Sequence, residues 1–277
     1  MPELPEVESL KNSLAPILVG RTIVRVVVVE PRLRRRMARD FAARVAGRRI
    51  ERIERRAKYL LIALAGGDIL MIHLGMSGSL TYRDRNSHSG AIDRDPAHDH
   101  VVFELDDGSR VVFNDPRRFG LMKIVPQAKL ETVAELKGLG PEPMGSGFNT
   151  DYLRAKARGR RVAIKNLLMD QRIVAGIGNI YASEILFRAG VRPTRRAGRL
   201  ARAEIERIVR FTPEVLREAI GVGGTTFNDY MDGRGREGAF RPQVYDRAGE
   251  PCPRCGVTLR QVIVGQRSSF FCPACQK

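Results

Sequence analysis

Apolar residues recur at helical spacing close to the start of the chain. In the segment PEVESLKNSLAPIL, Val7, Leu10 and Leu14 share one face of a helix. The pattern therefore predicts a short helix that begins almost at the terminus and anchors the first residues. Glu6 and Glu8 lie in its first turn, where the helix dipole favours anions, so both carboxylates have a purely structural explanation.

The following hundred residues are rich in strand-forming runs. Between residues 22 and 125 these runs include TIVRVVVVE, YLLIALAGGDILMIHL and HVVFELDDGSRVVF. The pairs Gly66-Gly67 and Asp107-Gly108 are typical of hairpin turns. This number of strands predicts two packed antiparallel sheets, which is a β-sandwich.

A Gly- and Pro-rich stretch, GLGPEPMGSGFNT, interrupts the pattern from Gly138 to Thr150. The segments that follow, DYLRAKARG, VAIKNLLMD and NIYASEILFRAG, have the periodicity of helices. A longer helical segment runs from Leu200 to Ile220, and Thr212-Pro213 is expected to restart it by capping. The fold class is α+β, with predicted domains at 1–137, 151–240 and 241–277 and a linker at 138–150.

The net charge of the chain indicates the kind of partner that it binds. Lys and Arg number 48 against 31 Asp and Glu, so the net charge is +17 and the pI is near 10.5. Such an excess is typical of proteins that bind a polyanion or a membrane surface. No apolar stretch approaches the roughly 20 residues needed to span a bilayer, and no secretory leader is present. We therefore expect a cytoplasmic protein that binds nucleic acid.

All four cysteines lie at the C-terminus in the pattern C-x2-C, 16 residues, C-x2-C, as Cys252, Cys255, Cys272 and Cys275. Two tight turns at this spacing present four thiolates to one zinc ion. The alternatives are two disulfides or four idle thiols, and disulfides fit a cytoplasmic chain poorly. The intervening VTLRQVIVGQRSSFF is typical of a hairpin. We predict a zinc ribbon that needs its metal to fold.

Two further segments contain candidate catalytic or phosphate-binding residues. In MPELPEVES, removal of Met1 leaves Pro2 as a free secondary amine beside Glu3 and Glu6, although a frayed, solvated tail is the alternative. In AGIGNIYASE, Asn179 is predicted to cap a helix whose first amides can receive a DNA phosphate. Taken alone, the second segment is better explained by an ordinary capped turn.

Eight motifs together carry a family resemblance. PELPEVE, RRAKYLL, HLGMSG, DPRRFG, LGPEP, GIGNIYASE, GGTT and the four-cysteine ribbon occur in this order from Pro2 to the last cysteine. The chain resembles bacterial formamidopyrimidine-DNA glycosylases, base-excision repair enzymes that remove oxidised purines such as 8-oxoguanine. The resemblance implies a catalytic N-terminal β-sandwich, a helical domain with a helix-two-turns-helix, one structural zinc, and duplex DNA in the cleft between domains. It also implies a monomer, active on oxidised purines or abasic sites and located with the nucleoid.

The resemblance also implies catalytic roles. Pro2 would attack the anomeric carbon and form a Schiff base, and Glu3 would donate and accept the proton. An α-amino group near pKa 8 is roughly a tenth unprotonated at pH 7, far more than a lysine. Lys58 and Arg267 would contact phosphate and act as proton donors for β- and δ-elimination, and Glu6 would be a second acid near the lesion. Without the resemblance, Lys58 is simply a solvated strand lysine.

The remaining implied residues contact DNA. A wedge of Met76, Arg117 and Phe119 would fill the gap left by the everted nucleotide, although Met76 and Phe119 alone would be read as core residues. The resemblance also implies that the loop VGGTTFNDYMDGRGREGAF closes over the everted base, and Asn228 stands where a basic residue is common. The other implied DNA-binding residues are His100, Lys165 and Asn179.

Two rival functions remain open at this point. An endonuclease VIII-like glycosylase has the same nucleophile but prefers oxidised pyrimidines, and its usual opening is closer to PEGPE. A non-catalytic zinc-ribbon protein that only binds DNA would have the same charge and cysteines. Pro2, Glu3 and Lys58 together would have no purpose in such a protein.

Overall fold

The structure is a computed structural model that describes residues 1–85, 94–225 and 230–277. Its contacts divide the chain into two units, one of Met1–Lys137 with Ile220–Phe240 and one of Gly138–Ala219 with Arg241–Lys277. The first division falls where the predicted linker begins. Residues 220–240 make their contacts with the N-terminal unit, so the contact-based units and the predicted domains differ over this segment.

The first unit contains eight antiparallel strands in the order β5-β7-β6-β1-β2-β3-β4-β8. Strands β1 and β2 share only two residue pairs, so the sheet turns there into two layers of four strands. These layers are the predicted β-sandwich. The strands are β1 Thr22–Val28, β2 Arg48–Arg56, β3 Tyr59–Leu64, β4 Asp68–His73, β5 Ser79–Arg83, β6 Asp99–Leu105, β7 Arg110–Asn114 and β8 Leu121–Pro126.

Helix α1, Leu4–Leu18, packs its apolar face into the core of this sandwich. Val7, Leu10 and Leu14 are at most 1% exposed, which confirms the predicted face. Full burial of a side chain of this size stabilises the fold by roughly 1.5–3 kcal/mol. The N-terminal helix is therefore firmly anchored. A short helix, α2 at Phe41–Val45, adds to the same core.

The two predicted hairpin turns are confirmed. Gly66 and Gly67, which join β3 to β4, have φ values of +92° and +82°. Gly108, between β6 and β7, has a φ of +82°. Glycine takes up this left-handed backbone without the penalty that a Cβ atom brings.

The second unit is helical, with α3 Thr150–Ala157, α4 Ile164–Met169, α5 Asn179–Ala189 and all but the last two residues of α6 Arg202–Gly221. The predicted restart at Thr212-Pro213 is wrong, because α6 runs through both residues. The Thr212 hydroxyl donates to the carbonyl of Ile208 at 2.7 Å instead of capping a new helix. Proline at 213 removes one backbone donor, and the buried side chains on either side keep the helix continuous.

The start of α5 also differs from the prediction. Gly178 is the N-cap, Asn179 is the first helical residue, and no side chain caps the helix. The Asn179 side-chain amide instead donates to the carbonyl of Ser268 at 3.1 Å. The predicted helix is present, but the predicted cap is wrong.

The chain ends in a two-stranded ribbon of β9 Arg260–Val264 and β10 Arg267–Phe271. Gly265 and Gln266 form its turn with φ values of 57° and 63°, which suits a tight hairpin. Within the described part of the chain, no helix is both long and apolar enough to cross a membrane.

Candidate active site and nucleic-acid interface

Pro2 is buried and directly precedes the N-cap of α1. The N-cap is Glu3, which is 2% exposed, and its backbone N–H donates to the Glu6 carboxylate at 2.8 Å. This bond satisfies a donor that the helix itself leaves unpaired. The residues around the prolyl nitrogen are thus held by α1, in contrast to a frayed tail.

Glu6 also holds the segment that precedes residue 226. Its Oε1 accepts the backbone N–H of Thr225 at 2.9 Å, and a Cβ on Gly224 would lie 2.9 Å from the same oxygen. The Tyr230 hydroxyl donates to the Glu6 carbonyl. Burial, together with the charges of Glu6 and Asp232, raises the pKa of Tyr230 well above its usual value, so this phenol remains a donor. Asn228 lies outside the described residues.

Lys58 lies at the turn between β2 and β3 and is 6% exposed. Its neighbour Ala57 has a φ of 53°, and Arg55 donates to the Ala57 carbonyl at 3.0 Å. Arg55 also pairs with Glu8 at 2.6 Å. Burial alone would raise the pKa of Glu8, but hydrogen bonds from Lys11 and Arg55 lower it. Glu8 therefore supports the turn that presents Lys58, beyond the dipole role predicted for it.

His73, the first residue of HLGMSG, supports the turn that carries Met76, and the sequence analysis did not identify it. Burial, with the positive charges of Lys58 and Arg34, lowers its pKa to about 4. Its Nδ1 accepts the backbone N–H of Gly75 at 2.9 Å, which only a neutral ring can do. A histidine directly before a Gly-rich turn is the sequence signal that could have revealed it.

The predicted wedge residues lie on two turns of the first unit. Met76 is half-buried between β4 and β5, and Arg117 and Phe119 are exposed between β7 and β8. The guanidinium of Arg117 lies 4.9 Å from the centroid of the Phe119 ring, which is 44% exposed. The alternative that Met76 and Phe119 are core residues is therefore wrong.

His100 is 6% exposed, and its Nε2 lies 2.9 Å from the carbonyl oxygen of Asp115. This contact supports the turn after β7 from within the sandwich. The neighbouring His98 side chain is 39% exposed. The geometry of His100 thus favours support of a turn over direct contact with DNA.

In the second unit, Lys165 on α4 is fully buried. Its ammonium donates to the carbonyl of Ser268 at 2.9 Å and to the hydroxyl of Ser269 at 2.6 Å. The amide of Asn179 reaches the same Ser268 carbonyl. Arg267, the residue before this carbonyl, is exposed at the start of β10. Lys165 and Asn179 therefore fix the strand that carries Arg267.

Glu184 on α5 is another residue that the sequence analysis missed. Its carboxylate is 1% exposed and accepts the backbone N–H groups of Gln243, Val244 and Tyr245 at 2.8 to 3.0 Å. Burial raises its pKa above the usual value, while these three hydrogen bonds act in the opposite direction. Glu184 ties α5 to the segment that leads into the ribbon.

The four cysteines form one metal site. They are not paired as disulfides, and their sulfur atoms all lie within 4.8 Å of one another. The Sγ atoms of Cys252 and Cys275 are 4.0 Å apart and those of Cys255 and Cys272 are 3.5 Å apart. Tetrahedral zinc with Zn–S bonds near 2.3 Å requires about 3.8 Å between sulfurs. The donor set therefore fits one structural zinc ion, which would hold the two ends of the ribbon together.

Comparison with known proteins adds the decisive observation. The model of the formamidopyrimidine-DNA glycosylase N-terminal domain matches residues 1–122, and that of the H2TH domain of the same enzyme matches residues 139–231. A zinc finger found in FPG and IleRS matches residues 249–277. The chain belongs to the formamidopyrimidine-DNA glycosylase family.

Individual relatives agree along the whole chain. Formamidopyrimidine-DNA glycosylases of Rhodopseudomonas palustris and Halorhodospira halophila are 46% and 47% identical, with both chains fully covered. The MutM (FPG) structure from Thermus thermophilus has a TM-score of 0.87 at 38% identity, covering 99% of this chain and 98% of that one. A Lactococcus lactis FPG mutant in complex with Fapy-dG DNA has a TM-score of 0.89 at 30% identity, with full coverage of both chains.

This formamidopyrimidine-DNA glycosylase family member has its predicted site residues in both units. Each set lies on elements whose packing fixes its position. The first unit contains Pro2, Glu3, Glu6, Lys58, Met76, His100, Arg117 and Phe119. The second unit contains Lys165, Asn179, Arg267 and the four cysteines.

Proposed function

We propose that this family member is a bifunctional repair glycosylase that excises oxidised purines, 8-oxoguanine and formamidopyrimidines, from duplex DNA and then cuts the abasic strand. The observation that carries the proposal is the match to all three family regions in a chain whose Pro2 is held at the base of an anchored helix. Solved Lactococcus lactis relatives were bound to Fapy-dG DNA and to DNA with an abasic site.

The first step is attack of the Pro2 nitrogen on C1′ of the damaged nucleotide. The bond from C1′ to the base breaks, and the base leaves with the bonding electron pair and takes up a proton. Glu3 donates a proton to O4′ as the sugar ring opens, and the secondary amine loses its own proton to give a cationic iminium. Removal of Met1 is part of this proposal, because an amide nitrogen is not nucleophilic.

The iminium then drives strand cleavage. It acidifies the hydrogen on C2′, and loss of that proton expels the 3′ phosphate by β-elimination. Loss of a proton from C4′ then expels the 5′ phosphate in a second elimination, after which water hydrolyses the iminium to an aldehyde and the free amine. We assign Lys58 and Arg267 to phosphate binding and proton donation in these two steps, with Glu6 holding the nearby loop.

DNA recognition is assigned to the turns and to the ribbon. Met76 and Phe119 would fill the gap in the stack, and Arg117 would bond the acceptor edge of an orphaned cytosine. Adenine presents a donor at the corresponding position, so cytosine opposite the lesion should be preferred. Asn179 and Lys165 would serve the phosphate site by holding the strand of Arg267. The enzyme would act as a monomer in the cytoplasm, at the nucleoid.

Borohydride trapping on lesion-containing duplexes tests this function. A duplex with 8-oxoguanine opposite cytosine should give a covalent protein–DNA adduct, whereas a thymine-glycol duplex should give much less. An adduct mainly with thymine glycol would favour the oxidised-pyrimidine specificity. No adduct on either duplex, with DNA binding intact, would indicate a non-catalytic protein.

A further inference from the structure

Asp115 is a buried carboxylate, 0% exposed, at the start of the turn between β7 and β8. Its Oδ2 accepts the backbone N–H of Gly120 at 2.7 Å, and its Oδ1 accepts that of Arg117 at 3.3 Å. The same Oδ1 accepts the hydroxyl of Ser77 at 2.8 Å. Ser77 lies on the other turn, next to Met76. One carboxylate is thus bonded to both turns of the wedge.

The two turns also touch through their backbones. Gly75 has a φ of +70°, and a Cβ at this position would lie only 2.4 Å from the carbonyl carbon of Phe119. Within the sandwich, His100 contacts the Asp115 carbonyl. The bonds made by Asp115 therefore join two surfaces that are already in close contact.

The chemistry of these bonds makes the junction stiff. Hydrogen bonds to an ionised carboxylate are stronger than neutral ones, and a buried donor left without its acceptor is destabilised. Because Ser77 and the Arg117 amide share one oxygen, one turn cannot shift without disturbing the bond of the other. A substitution that alters the Met76 turn should therefore also shift the position of Arg117.

We infer that Asp115 is a positioning residue that holds the two turns as one rigid wedge, so that discrimination of the base opposite the lesion depends on the Ser77 hydroxyl. The inference rests on the proposed function, in which Arg117 reads that base. Ser77 lies on the other turn, and its hydroxyl bonds the Asp115 carboxylate, so its effect would pass through Asp115.

The test measures single-turnover excision of 8-oxoguanine opposite cytosine and opposite adenine, and takes the ratio of the two rates. Ser77→Ala should lower this ratio roughly three- to tenfold, the size expected for coupled neighbours. Ser77→Thr keeps the hydroxyl and should restore the wild-type ratio. Ser79→Ala is the matched control, since that buried hydroxyl is directed at the Asn114 carbonyl, 3.5 Å away.

The Arg117→Ala variant distinguishes a failure of the proposed base reading from a failure of the coupling through Asp115. If that variant keeps the wild-type ratio, the proposed reading of the opposite base is wrong. If Arg117→Ala lowers the ratio but Ser77→Ala does not, the proposed function stands and the coupling through Asp115 is overturned. An equal loss in Ser79→Ala would also overturn the coupling, because it would show a general effect of packing. Thermal unfolding of each variant verifies that it is folded.

Discussion

At the scale of single residues, the N-terminal site places two carboxylates in different settings. Glu6 is committed to backbone donors of Glu3 and Thr225, which suits a residue that fixes geometry. Glu3 is the N-cap beside Pro2 and is almost fully buried. Glu3 adjoins Pro2, the proposed nucleophile, and this position suits the proton transfer that we propose for Glu3.

Replacement of Glu3 by Gln should separate base excision from strand cutting. Opening the sugar of an intact nucleotide needs a proton donor, whereas an abasic site already equilibrates with its aldehyde. We expect a large loss of 8-oxoguanine excision, with substantial cutting of a preformed abasic site, under single-turnover conditions. Equal losses on both substrates would mean that Glu3 mainly positions the amine.

His73 should make the stability of the first unit depend on pH. Its pKa falls from about 6.5 in the unfolded chain to about 4 in the fold, so the unfolded state binds more protons between these values. The stability that the neutral ring provides is present above pH 6.5 and is lost as the pH falls towards 4, by up to about 3 kcal/mol. Urea unfolding at several pH values gives the free energy of unfolding as a function of pH. This free energy should depend less steeply on pH in His73→Gln than in the wild type. An unchanged slope, or the same change in the exposed-ring control His98→Gln, would contradict this.

At the scale of secondary-structure elements, the ribbon hairpin packs against helices α4 and α5. Lys165 and Asn179 both bond the Ser268 carbonyl. A Cβ on Gly265 would come within 2.4 Å of the Asn166 amide, so the hairpin turn lies directly against α4. These contacts fix the position of β10, the strand that carries Arg267.

Lys165→Met and Arg267→Ala should therefore be non-additive. If Lys165 acts by holding the strand of Arg267, Lys165→Met should weaken binding to abasic-site DNA when Arg267 is present. In the Arg267→Ala background, the same substitution should cause little further loss of affinity. Lys156→Met, at an exposed lysine of α3, is the charge-matched control. Additive losses in the double variant would instead identify Lys165 as an independent phosphate contact.

At the scale of the whole molecule, the cysteine cluster and the basic charge are the two features expected to support DNA binding. The ribbon core contains Cys252 and Cys272 together with a few apolar side chains. Such a small core relies on its metal, which contributes on the order of 10 kcal/mol in comparable zinc sites. Phosphate contacts by a chain of charge +17 should make affinity fall steeply with salt.

Cys252→Ala should lose zinc, unfold the ribbon and weaken DNA binding, while the sandwich remains folded. Metal analysis, circular dichroism and a binding titration on the full chain measure these effects together. Val257→Ala, which alters an exposed ribbon side chain, should retain zinc and affinity. Absence of zinc from the wild-type protein, or full binding by Cys252→Ala, would contradict a structural role for the metal.

The sequence predicted the features that depend on local spacing. The α1 face of Leu10 and Leu14 follows from helical periodicity, and the metal site follows from the cysteine spacing. The contacts of Asp115 depend on which turns the sandwich brings together, and local spacing does not encode them. The capping role predicted for Thr212 failed because buried neighbours outweigh a single proline in α6.

The proposed mechanism depends on the Pro2 nitrogen as the nucleophile. Its most direct test is borohydride reduction on an 8-oxoguanine duplex, followed by proteolysis and mass spectrometry of the adduct. We predict that the sugar fragment is attached to Pro2 in protein lacking Met1, and that protein whose intact mass shows retained Met1 forms no adduct and releases no base. Full activity with Met1 retained, or an adduct located on a lysine, would contradict the mechanism.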